Sequence, residues 1–336
     1  MPATTMRIMF FIVGTLFWRD PAQTPVTPGR ERGKYGFCRN KKFSEQWTYA
    51  YPWVISPPML AQNDALLRLL EDDDPATLAL IKDQLARRGR AVLPELQALL
   101  AVAEPPAARH LREVVAGIEA VEAEAIFGDF CGQFGRDGDL EEAAWRLAAV
   151  FLPGENFARQ RNILDSWGKE VLRRLRKAST PIDRIETLVE FLGHDVGLRG
   201  NDEDYYNLNN SLLPEVIDTH LGLPITLSLV YILVGQRAGI SISGTGLPGH
   251  FLIRHRHDFF DPFHGGRRVG LDECRERMEQ LNMTLTAAHL NPVAPPQFLI
   301  RMLANIRSVV VESDPPFAAK VGEWIEALRT SAAMME

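Results

Sequence analysis

His250 and Asp261 are the two side chains of this 336-residue chain whose types and spacing point to chemistry. In thiol-dependent acyl transfer a nucleophilic Cys sits at a helix N-terminus, where unpaired N–H groups and the helix dipole favour the thiolate. A His on a neighbouring strand pairs with it, and an Asp on the next strand orients the imidazole. The chain supplies a frame for such a set. The apolar run after Pro224 reads as a helix over 225–238, hydrophobic on all sides and therefore buried, and Gly239 closes it. The alternation that follows reads as three short strands over 240–244, 249–254 and 258–261. His250 then opens the second strand, Asp261 ends the third, and Pro262-Phe263-His264-Gly265-Gly266 forms a turn. Thr226 and Ser228 are the hydroxyls within the first turns of the helix. The three cysteines, Cys38, Cys131 and Cys274, are too scattered for a disulfide framework or zinc-ligand spacing, so a reducing compartment is expected.

Three motifs in order extend this pattern. They are Gly222-Leu223-Pro224-Ile225-Thr226-Leu227-Ser228-Leu229, Pro248-Gly249-His250-Phe251-Leu252, and Asp261-Pro262-Phe263-His264-Gly265-Gly266. Upstream lie Gly200-Asn201, Asp204-Tyr205-Tyr206-Asn207 and Asn210-Ser211-Leu212-Leu213. As a set these resemble the SirB family, transglutaminase-like proteins that often carry tetratricopeptide repeats, over residues 62–312. The resemblance implies a transglutaminase-like, papain-like core in which His250 and Asp261 match two triad members. The position of the catalytic Cys falls on Pro224, which has no nucleophile. Cys274 lies in a helix expected over 271–280 and Cys131 precedes the whole unit, so neither is placed beside His250. Thr226 and Ser228 remain candidate nucleophiles, although a hydroxyl at that depth commonly bonds its own helix backbone. Two functional readings follow. One is a non-catalytic protein that binds a peptide or protein partner in a degenerate active-site groove. The other is a diverged hydrolase or acyltransferase in which Thr226, Ser228 or a distant Cys works with His250 and Asp261. His250 and Asp261 can equally be a satisfied polar pair that holds a hairpin together.

Two further clusters invite ligand readings. His255, His257 and His264 could join His250 around a metal, but Arg254 and Arg256 make that edge a charged, solvated one, and neither metal nor cofactor is expected. Arg159, Arg161, Lys169, Arg173, Arg174, Arg176 and Lys177 share one helix, with Asp165 and Glu170 breaking the run and no aromatic stacking platform beside it. A solvated face is expected there, not a nucleic-acid surface.

The elements that must position these groups are mostly helical, and the fold class expected is α+β. The transglutaminase-like core, 129–280, follows a HEAT-like helical segment, 59–128, and precedes a helical pair, 281–336, that resembles a truncated tetratricopeptide repeat after Leu290-Asn291-Pro292-Val293. Asp74-Pro75, Asp139 and Thr180-Pro181 mark helix starts. Residues 1–58 carry a net +5 in a chain of net charge −6, so the remainder is acidic, which argues against a chain built to coat nucleic acid or anionic lipid. That leader reads as an extension without a fold or an over-called start before Met59. Its apolar run, 8–18, is too short to span a bilayer and lacks a convincing signal-peptide cleavage site. The expected location is cytoplasmic, with no membrane partner and an oligomeric state left open.

Overall fold

Local capping signals set the helical frame. The structure, a computed structural model, describes residues 58–71 and 74–334. The expectations for the leader and for Cys38 lie outside the described residues. Helix α1, Pro58–Leu70, starts before the expected pattern. Helix α2, Pro75–Arg87, is capped by Asp74, whose carboxylate accepts the Thr77 N–H at 2.9 Å. Helix α3, Leu93–Leu100, has Pro94 in its first turn. These helices pack with the first half of α4, Pro105–Gln133, around Leu70, Val92, Leu96 and Leu111. Helix α4 runs unbroken through residue 128, where a domain boundary was expected, and at 29 residues is about 43 Å long. Its second half joins a different core through Phe127 and Cys131.

That larger core holds the site. Helices α5, Leu140–Phe151, and α6, Ala158–Arg174, are followed by α7, Pro181–Glu190. Asp139 caps α5 by accepting the Glu141 and Glu142 N–H groups. Thr180 and Asp183 cap α7 reciprocally. After α7 the chain widens into a π turn, Phe191–Asp195. Two short strands missed in the sequence, β1 (Arg199–Gly200) and β2 (Leu221–Gly222), then pair in parallel across α8, Leu213–Thr219.

Helix α9, Pro224–Arg237, follows, and every residue from 224 to 235 is buried. An all-apolar surface has no solvent side, so the chain must wrap it from every direction. The wrap is completed by an antiparallel sheet of β3 (Ser243–Thr245), β4 (Leu252–His255), β5 (Asp258–Asp261) and β6 (Arg267–Val269), in that spatial order. The sequence reading had three strands; β6, with two arginines in three residues, carries too little apolar pattern to announce itself. Alternate residues point to opposite faces. Ile253 and Phe260 join the core around α9, whereas Leu252 and Phe259 pack with Cys274 and Met278 of α10, Leu271–Gln280. Pro292 bridges Thr245 and the Val293 N–H donates to the Gly244 carbonyl, so the Leu-Asn-Pro-Val element covers the edge of β3. Helices α11, Pro295–Val310, and α12, Pro315–Met334, close the core through Phe298, Leu303, Trp324 and Leu328. The architecture is a mostly helical α+β fold. Among the described residues no helix is long and apolar enough to cross a membrane.

Candidate functional site

His250 is set by backbone before any partner is considered. It lies in a turn just ahead of β4, not on the strand as expected, with its N–H donating to the Leu247 carbonyl at 3.0 Å and Gly249 at φ +68°. Arg301, on α11, braces that turn: one guanidinium nitrogen donates to the carbonyls of Leu247 (3.3 Å) and His250 (3.1 Å), and the cation lies 5.0 Å from the centre of the Phe251 ring. Burial pulls the Arg301 guanidinium down to about 10, so this brace is a cation held largely out of water. Sequence reasoning passed over Arg301 because it lies beyond the expected end of the core at residue 280. Its signal was a lone cation in the run Phe298-Leu299-Ile300-Arg301-Met302-Leu303.

Asp261 ends β5 and has no exposed surface. Its Oδ2 accepts from His250 Nε2 at 2.8 Å and from His264 Nδ1 at 2.7 Å, while Oδ1 accepts the Phe263 N–H at 3.1 Å. Arg267 on β6 approaches Oδ2 at 3.8 Å and also pairs with Glu273 of α10. Burial pushes the Asp261 carboxyl up, but the hydrogen bonds and charges of His250 and His264 outweigh it and hold the group at about 2. Burial also draws His250 below the usual imidazole range, against the opposing pull of Asp261. The two shifts agree on one state: an ionised carboxylate accepting an N–H from an uncharged imidazole. Nδ1 is then the His250 ring nitrogen left for chemistry.

His264 is the member that sequence reasoning placed with the wrong neighbours. It follows Asp261 by three residues in a 3-10 turn, Pro262–His264, so the two side chains meet on one side of the turn. His255 instead bonds the Ser241 carbonyl through Nδ1 at 2.8 Å, and His257 sits exposed in the β4–β5 turn, not on a shared strand face. The 3-10 turn is fixed from below by the π turn. A Cβ on Gly193 would stand 2.0 Å from the Gly265 carbonyl oxygen, so only glycine allows that approach, and Gly265 and Gly266 both take positive φ. Tyr231 of α9 ends in the same crevice with its hydroxyl buried and unpartnered.

Pro224 stands at the first position of α9, as the sequence indicated, and that helix packs against β4 and the 3-10 turn. Thr226 is fully buried and its hydroxyl has no hydrogen-bond partner, whereas the Ser228 hydroxyl donates to the Pro224 carbonyl at 2.7 Å. Cys131 is buried in the main core with its thiol pushed up to about 12 by burial. Cys274 is buried among Leu247, Leu252 and Met278, and burial raises its thiol as well. The upstream motifs knit the entry to α9: Asn201 donates to Asn210 at 2.9 Å, Asn210 donates to the Asp204 carbonyl at 2.7 Å, and the Leu223 N–H donates to the Asn210 carbonyl. A separate concavity of about 670 Å³ between α11 and α12 is lined by Arg307, Glu323, Glu326 and Arg329, and includes none of His250, Asp261 or His264.

Comparison with known proteins agrees with this architecture. Residues 158–304 match the family described as Transglutaminase-like superfamily, a stretch that begins with α6 and ends within α11. A UPF0162 protein of Xylella fastidiosa is 36% identical over 141 residues, covering 39% of this chain and 50% of that protein. A UPF0162 protein of Pseudomonas aeruginosa is 29% identical over 185 residues, 54% of this chain and 68% of that protein. The F-box only protein 21 of Mus musculus is 29% identical over 123 residues, 33% of this chain and 19% of that protein. The chain thus spans about half the length of the Xylella relative. No solved structure matches the chain significantly. Residues 158–304, with His250, Asp261 and the buried helix headed by Pro224, form a transglutaminase-like domain.

Proposed function

We propose that this domain is non-catalytic and binds a peptide or protein partner in the groove where a catalytic relative would hold its acyl substrate. The observation that carries the reading is Pro224 at the head of α9, a residue without a nucleophile where a thiol would have to stand. The two described cysteines support it, since both are buried with thiols shifted away from the reactive thiolate. A SirB-type protein with a degenerate triad, acting in the cytoplasm, fits these features. A nucleic-acid partner is disfavoured because much of the basic face of α6 is already paired with carboxylates: Arg173 and Arg174 bond Glu170, Arg174 also bonds Asp195, and Arg159 bonds Asp218. The test is turnover of glutamine-containing peptides, assayed for ammonia release and for amine incorporation. No turnover is expected. Activity that disappears in His250→Ala would overturn the proposal.

One observation favours the second reading, a diverged hydrolase or acyltransferase. The Thr226 hydroxyl is buried and unpartnered in the first turn of α9, unlike that of Ser228. Covalent labelling by an electrophilic acyl probe, with Thr226 found as the modified residue, would replace the first reading with this one.

A further inference from the structure

The three polar side chains brought together around Asp261 Oδ2 also have the composition of a metal-ligand set. His250 Nε2, Asp261 Oδ2 and His264 Nδ1 all lie within 4.8 Å of one another. Two imidazoles and one carboxylate suit zinc and its neighbours in the first transition row, and three protein ligands with one open position is a common arrangement for such ions. We propose that His250, Asp261 and His264 form a binding site for a single divalent transition-metal ion, zinc foremost, with the open coordination position on the solvent side of His264.

Three features of the backbone support a site built to hold its ligands. Arg301 and the Leu247 carbonyl fix the turn that carries His250. The Phe263 N–H holds Asp261 Oδ1, which turns Oδ2 towards the two imidazoles as the ligand atom. The Gly266 N–H donates to the Asp261 carbonyl at 2.7 Å and closes the turn that presents His264. Access is also provided: His250 and Asp261 are buried, but the His264 side chain is 47% exposed, so an ion enters from that edge. A tetrahedral ion with bonds of about 2.0–2.1 Å sets its ligand atoms about 3.3 Å apart. Oδ2 must therefore move roughly half an ångström away from each imidazole on binding. The exposed His264 ring has room to do so. Each imidazole gives up the N–H it donates to Asp261 and carries its proton on the other ring nitrogen. The nearest opposing charge, Arg267, is offset by its pair with Glu273.

The inference goes beyond partner binding and does not depend on it. Its test uses the full chain, stripped of metal, titrated with Zn²⁺ against a chromophoric chelator and separately with Co²⁺ for its visible absorption. One ion per chain is expected, with the intense Co²⁺ bands of a four-coordinate centre. His264→Ala, at a half-exposed position that leaves the core intact, is expected to weaken Zn²⁺ binding about 100-fold and to abolish those bands. His257→Ala, in the neighbouring exposed turn, should leave both unchanged. The proposal is overturned if no ion binds, or if His264→Ala binds as tightly as the original chain. Circular dichroism of each variant separates loss of ligand from loss of fold.

Discussion

Replacing Asp261 by Asn is the sharpest test of how the His-Asp-His cluster is held, because it keeps the shape and removes the charge. Asp261 is fully buried and accepts three hydrogen bonds, from His250, His264 and the Phe263 backbone. With its carboxyl at about 2 in the folded chain and about 3.9 when unfolded, ionisation contributes roughly 2–3 kcal/mol at neutral pH. A count of bonds reaches a similar figure. The His264 bond is discounted because that side chain is half exposed, and Asn still accepts one of the remaining two, while its amide faces a donor in place of an acceptor. One charge-assisted hydrogen bond lost in a buried site costs about 1.5–3 kcal/mol. Asp261→Asn should therefore lower the melting temperature by roughly 5–10 °C at pH 7. Urea unfolding followed by both fluorescence and circular dichroism measures the difference. The sign with pH is fixed: a depressed carboxyl stabilises above its unfolded value, so the gap between the two chains should narrow as pH falls from about 4 towards about 2. A gap below about 0.5 kcal/mol at pH 7, or one unchanged at pH 3, refutes the reasoning.

Two more outcomes are expected. In Pro224→Cys, built with Cys38→Ser to remove the thiol outside the described residues, the new thiol heads a 14-residue helix but is enclosed with it, so iodoacetamide should alkylate it more slowly than free cysteine at pH 7. His250→Ala in that background should slow it, and a rate indifferent to His250 would show that Pro224 does not face the imidazole. Burial holds both His250 and His289 below the ordinary imidazole range. Their contribution to stability is thus complete above about pH 6.5 and declines as pH falls below it, since the unfolded chain takes up protons first. His250→Asn should flatten the melting temperature across pH 5–7, and an unchanged slope would remove His250 from this account.

Much of the frame could be read from the chain because its signals are local. Asp74, Asp139 and Thr180 cap the helices they were expected to cap, and the mostly apolar run after Pro224 is the buried helix. The misreadings share a physical cause, which is that tertiary contact decided the local outcome. Helix α4 runs on past residue 128, where the helical segment was expected to end, and the Trp324 indole packs over Gly128, its Nε1 3.1 Å from where a Cβ would stand. Strands β1 and β2 are two residues each, too short for any periodicity. Within the site, His250 and Asp261 were legible from order and spacing. His264 was set apart from Asp261 because the three-residue separation brings them together only if the segment turns as a 3-10 helix. Arg301 was missed because its work is done on carbonyls 51 and 54 residues away.

Helix α9 has one more consequence. With residues 224 to 235 all enclosed, its amide hydrogens can reach solvent only when the surrounding core opens. They should be among the slowest to exchange in the molecule, and their exchange should report the whole domain's unfolding. The buried helix is therefore the stiffest part of the site. If a partner binds as proposed, the site's adaptability lies instead in the segment from Pro262 to Val269, where His264 and Arg267 are half in water and two glycines already turn the chain.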